Sequence, residues 1–170
     1  QANAFYEAYH HIPFDRIITS TLKRTHQSIQ GFLDKNYPWQ QHDGFNEISW
    51  GVYDGQKITN DHPYWSVLKK WDKGKTSERI EGGESPEDVM IRQRIAWKEL
   101  FSDDKDETIL LCMHGRAMRV LLSWITDKPL HKMDQFRHKN LGLYVLDQDE
   151  EGAVTITKGL LVDHLRLLPS

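Results

Sequence analysis

The 170-residue sequence contains one cysteine, Cys112. A single thiol cannot form an intramolecular disulfide, so no covalent framework staples the chain, and its scarcity suits a reducing compartment. Long apolar runs are missing too. None approaches the roughly 20 residues that a membrane-spanning helix needs. Charge of one sign is not in excess: 22 Lys and Arg stand against 25 Asp and Glu, a formal net charge of −3. No basic surplus therefore argues for nucleic acid as a partner. Neither internal repeats nor low-complexity tracts are present. What remains is one domain, residues 1–170, with enough chain for a real core. A cytoplasmic location is the default expectation, although a processed secreted chain would look the same.

The elements can be read from pattern. Residues 1–10 already look helical, with Ala2, Phe5, Ala8 and Tyr9 near helical spacing. Neither an initiating Met nor a capping residue precedes them, as expected if upstream sequence belongs to the element. Asp15–Thr19 reads as a short buried strand, and Ser20 or Thr21 as the cap of one helix running to about Leu33. Residues 44–56 form a glycine-punctuated loop with scattered aromatics. Residues 60–81 carry a weak helical pattern around Trp65, Leu68 and Trp71. Ser85, Pro86 and the acids Glu87 and Asp88 make a strong helix start, for a helix ending near Phe101. The charge run Asp103–Glu107 reads as a solvated loop. Thr108–Met113 is a buried strand, His114-Gly115 a tight turn, and 115–126 a helix. Residues 141–146 and 154–158 complete a hairpin. Strands alternating with helices predict an α/β fold, a three-layer α/β/α sandwich on a mixed, mostly parallel sheet.

Three segments carry chemistry. His114 follows an apolar strand and opens a helix, the place where open α/β sheets put ligands and where a helix start favours anions. Arg24 lies one turn into the helix after the first strand, and its planar guanidinium suits a phosphate. Phe45–Gly55 mixes Glu47 and Asp54 with glycines and aromatics, which makes Glu47 a candidate general acid. Taken singly, each also has a structural reading: a satisfied histidine, a solvated arginine, a surface loop.

Together, in this order and spacing, the segments resemble the histidine phosphatase superfamily, also called the phosphoglycerate mutase-like family. Phe14-Asp-Arg-Ile-Ile-Thr-Ser20-Thr-Leu-Lys-Arg24-Thr-His-Gln27-Ser is similar to its second motif, and Asn46-Glu47-Ile-Ser-Trp-Gly51-Val-Tyr-Asp54-Gly55 to its acid loop. Gly82-Gly-Glu84-Ser85 resembles the segment before its long helix. Leu111-Cys-Met-His114-Gly115, with Arg119 following, resembles its second histidine motif, and Asn140 also fits. The resemblance implies metal-independent phosphoryl transfer from a small phosphorylated substrate, with no cofactor. Arg24, His114 and Ser20 would bind the phosphoryl group, and Glu47 would protonate the leaving group. The short segment 56–81 looks more like the compact phosphatases than the larger mutases.

The family's Arg-His-Gly, whose histidine becomes phosphorylated, occurs nowhere in the sequence; Arg137-His138-Lys139 lacks the glycine and lies elsewhere. The resemblance places that motif on a strand upstream of Gln1. Loss of an interior strand would expose apolar surface and unpaired backbone groups, which leaves a homo-oligomer open. Two other readings compete. A phospholigand-binding pseudoenzyme would use Arg24 and His114 without turnover. A cysteine phosphatase would use Cys112, but that chemistry needs an arginine at position 118, where Met stands.

Overall fold

The computed structural model describes residues 1–101 and 107–166. Its frame is a parallel sheet of three short strands, β1 (Arg16–Thr19), β2 (Trp39–Gln41) and β3 (Ile109–Cys112), in the order β2-β1-β3. The register pairs Ile18 with Leu111 and Thr19 with Cys112. Successive side chains of a strand point to opposite faces, and both faces of the β1–β3 pair are covered. Ile17 and Leu110 pack against α1 (Ala2–Tyr9) and α3 (Gln30–Leu33) through Phe5, Ile29 and Phe32. Ile18, Ile109 and Leu111 pack against α5 (Pro86–Phe101) and α6 (Gly115–Ile125) through Ala96 and Leu121. Burial on both faces is why β3 is a continuous apolar run and β1 centres on the pair Ile17-Ile18. The expected α/β fold is therefore present.

A second core lies beside the sheet. Ile48 of the acid loop meets Trp71 of α4 (Tyr64–Asp72), Val89 of α5, and Ala117 and Val120 of α6. Trp71 is thus a core residue, and its indole N–H donates to the Glu78 carbonyl at 2.7 Å. The start of α5 is built as its sequence indicates. Ser85 Oγ accepts from the Asp88 amide at 3.2 Å, while the Asp88 carboxylate accepts from the Ser85 amide at 2.9 Å, a reciprocal cap.

Several expectations need correction. The helix after β1 is neither capped by Ser20 or Thr21 nor continuous. It begins as α2 (Lys23–Ser28) with Leu22 at its head and breaks at Ile29, whose backbone (φ −121°, ψ 22°) is not helical. The break lets both Ile29 and Phe32 enter the α1 core. Thr21 instead bonds Asn46 Oδ1, through its hydroxyl and its amide. The strand β2 has no counterpart in the sequence reading. The hairpin strands β4 (Leu143–Gln148) and β5 (Val154–Leu161) pair with each other as a separate antiparallel ladder rather than joining one mixed sheet. Among the described residues β3 pairs only with β1, and β4 only with β5. Of the charge run 103–107, residues 103–106 lie outside the described residues; Glu107 pairs with Arg16 at 2.9 Å. No described helix is long and apolar enough to cross a membrane.

Candidate active site

The parallel pairing of β1 and β3 brings their carboxyl ends side by side, and the chain leaves both at one edge. Ser20 directly follows β1, and its amide donates to the Cys112 carbonyl at 3.2 Å. His114 follows β3 and heads α6. Ser20 Oγ and His114 Nε2 consequently lie 2.7 Å apart in a buried contact. From the second position of α2, Arg24 reaches back, and its Nε–H donates to His114 Nδ1 at 2.9 Å.

This contact assigns the tautomer. A guanidinium only donates, so Nδ1 is the bare acceptor and Nε2 carries the proton, which it gives to Ser20 Oγ. Ser20 Oγ also accepts from the Leu22 amide and faces Thr25 Oγ1 at 3.1 Å. Thr25 in turn donates to the Leu22 carbonyl. The imidazole is fully partnered and neutral. Burial, then the nearby positive charges of Arg24 and Arg92, then His138, push its pKa down to about 4.

Glu47 occupies the amino end of α6. Its Oε1 accepts from the Ala117 amide at 2.8 Å and its own neighbour Ile48 at 3.0 Å; Oε2 accepts from the Arg116 amide at 3.2 Å. The helix has no side-chain cap of its own. Glu47 supplies that cap from a distant loop, in the orientation the helix dipole favours. A cleft of about 370 Å³ opens beside it, lined by Asp43, Asn46, Glu47, Ser49, Glu84 and Arg92.

The structure therefore brings all four sequence-predicted residues to one end of the sheet. Their positions differ in kind. Arg24 is exposed, whereas Ser20 is fully buried behind His114, touching the imidazole. His138 also lies here, although no local pattern in the sequence marks it. Its ring lies against Gly115, where an added Cβ would sit 2.8 Å from Nδ1. Burial and then Arg119 lower its pKa, against an opposing pull from Glu47. Arg116 and Arg119 face this region too, but both pair with Asp134, Arg119 at 2.7 Å. Among the described residues no group of three His, Cys, Asp or Glu could hold a metal. Cys112 is half-buried, and desolvation pushes its thiol up to about 12, which makes it unfit as a nucleophile.

Fructose-2,6-bisphosphatase of Saccharomyces cerevisiae is 32% identical over 114 residues, 65% of this chain and 24% of that protein. A 6-phosphofructo-2-kinase/fructose-2,6-bisphosphatase of Aquarana catesbeiana is 30% identical over 125 residues, 72% of this chain and 25% of that protein. The chain thus spans about a quarter of the length of these curated relatives. Among solved structures, Bacillus stearothermophilus YhfR superposes with a TM-score of 0.81 at 20% identity, covering 96% of this chain and 82% of its own. A mycobacterial glucosyl-3-phosphoglycerate phosphatase with inorganic phosphate gives 0.77 at 18%, covering 95% and 82%. Both likenesses speak to fold. The model of the histidine phosphatase superfamily (branch 1) matches residues 1–159, and the chain belongs to that superfamily.

Proposed function

We propose that these residues form most of a metal-independent phosphate-monoester phosphatase that works through a phosphohistidine. The observation carrying this reading is the hydrogen-bonded sequence Arg24–His114–Ser20 next to a carboxylate seated on the start of α6. The nucleophile comes from an Arg-His-Gly strand outside this sequence, which completes the single domain by pairing beside β3. In its favour, β3 is paired on one side only among the described residues.

In the first step the histidine nitrogen attacks phosphorus and the bond to the ester oxygen breaks. Glu47, protonated, gives its proton to the departing alkoxide. In the second step Glu47, now a carboxylate, takes a proton from water as the water oxygen attacks phosphorus and the nitrogen–phosphorus bond breaks. Phosphoryl transfer is chiefly positioning and charge stabilisation. An incoming dianion draws the Arg24 guanidinium off Nδ1, and the same negative charge favours uptake of a proton from solvent at that nitrogen. The imidazolium then donates to the phosphoryl oxygens.

The substrate is a small phosphorylated molecule. The printed names of the curated relatives make sugar phosphates the first class to assay. Residues 56–81 hold one described helix, the nine-residue α4, and this small cover favours a phosphatase over a phosphoglycerate mutase proper. Quenching turnover of labelled substrate by the full-length protein should trap acid-labile, base-stable phosphate on protein. Binding of phosphate esters with neither turnover nor a labelled intermediate would establish the second reading, a phospholigand-binding pseudoenzyme.

A further inference from the structure

Glu47 sits on a loop, and loops hold geometry poorly unless something ties them down. Its tie is Arg92 on α5. The guanidinium forms a bidentate pair with Glu84, Nε to Oε1 at 2.8 Å and Nη2 to Oε2 at 3.0 Å. Its remaining donors go to the loop backbone: Nη1 to the Gly44 carbonyl at 2.8 Å and Nη2 to the Glu47 carbonyl at 3.3 Å. Glu84 continues the tie on the other side. Its carboxylate accepts from the Ser49 amide at 3.0 Å, and its amide donates to the Ser49 carbonyl at 2.9 Å. Positions 44, 47 and 49 are thus fastened to one ion pair that brackets Glu47. Gly44 lies so close to α5 that an added Cβ would meet that of Ala96 at 2.5 Å. Both side chains of the pair are about three-quarters buried, at 22% and 27% exposure, so solvent screens the contact less than a surface bridge.

We infer that Arg92, with Glu84 as its partner, is a positioning residue that holds the Glu47 carboxylate on the start of α6 beside His114. Arg92 acts through the loop and touches no reacting atom. The fork is essential: a lysine ammonium keeps the charge but cannot make the planar two-point bond and reach two carbonyls as well. Its charge also helps to keep His114 neutral.

The inference rests on the phosphatase reading only for its kinetic arm, and the test separates the two. Amide hydrogen exchange is measured on the full-length protein and on Arg92→Gln, Arg92→Lys and Glu84→Gln. The Ala117 and Arg116 amides depend on Glu47, so their protection should fall about tenfold in all three variants. Amides of Ile18 and Leu111 in the sheet should keep theirs and so report an intact fold. In the kinetic arm, alkyl phosphate and 4-nitrophenyl phosphate are compared, since nitrophenolate leaves without a proton. Arg92→Gln should lower kcat/KM, which reports the first step alone, by about 10²-fold for the alkyl ester and by only a few-fold for the nitrophenyl ester. Unchanged protection at Ala117, or an equal loss at Ala117, Ile18 and Leu111, overturns the inference. Selective loss at Ala117 in a protein that turns over neither ester supports it while overturning the phosphatase reading.

Discussion

Acidification should destabilise this protein through His114, and the size of the effect follows from the site. The unfolded chain takes up the His114 proton near 6.5, the folded chain only near 4. Between those values the unfolded state binds more protons, so stability falls as pH falls. The contribution is whole above pH 6.5 and is lost progressively as pH drops through about 4. By linkage the loss between about pH 7.5 and pH 5 is about 2 kcal/mol at full strength. His114 is 7% exposed, but its Arg24 partner is exposed, so screening reduces this to about 1–2 kcal/mol. Urea unfolding of the full-length protein, followed by tryptophan fluorescence at several pH values, reads the slope directly. His114→Gln removes the titration while keeping a polar side chain. Its stability should be lower at neutral pH but should fall less between pH 7.5 and 5, by that 1–2 kcal/mol. His138, also lowered by burial, is present in both proteins, so the comparison reads the His114 titration together with its coupling to His138. Equal pH slopes in wild type and His114→Gln would refute the account of a neutral, desolvated imidazole.

Further outcomes follow from single contacts. Glu47→Ala should destabilise the protein by about 1–2 kcal/mol in the same urea assay, because it strips the cap from α6; a neutral or stabilising result would show that Glu47 contributes nothing there. Gly51→Ala should cost about 1–3 kcal/mol or more, since φ is +56° and the new Cβ would lie 2.0 Å from the Glu81 carbonyl oxygen; a wild-type melting temperature would contradict this packing. Iodoacetamide should leave native Cys112 unmodified at neutral pH, as read by intact mass, because burial raises its thiol to about 12. Rapid alkylation with loss of turnover would instead revive the cysteine mechanism.

Legibility in the sequence tracked how local the physics is. The strands β1 and β3 showed because burial on both faces demands adjacent apolar residues, Ile17-Ile18 in one and Ile109–Cys112 in the other. The start of α5 showed because its cap is written within four residues, Ser85 to Asp88. The strand β2 did not, since Trp39–Gln41 is exposed along its whole length and carries no apolar alternation. Nor did the break at Ile29, which tertiary packing imposes on a helical pattern. The second-motif arginine, the strand-end histidine and the loop carboxylate could be picked out by type and spacing. What each touches could not. Ser20 was expected to face a substrate phosphate and is buried against the imidazole. Arg92, Glu84 and His138 find their site partners far away in sequence, and no pattern within a single element announces such pairs.

The contacts that join these side chains bear directly on stability. Nδ1 of His114 has Arg24 as its partner, and the first amides of α6 have Glu47. A buried polar group left without a partner costs about 1–3 kcal/mol, so each of these side chains also holds the fold. Glu47 does so from a loop that Arg92 and Glu84 fasten to α5, and the cap of α6 therefore depends on an ion pair that touches neither of the capped amides.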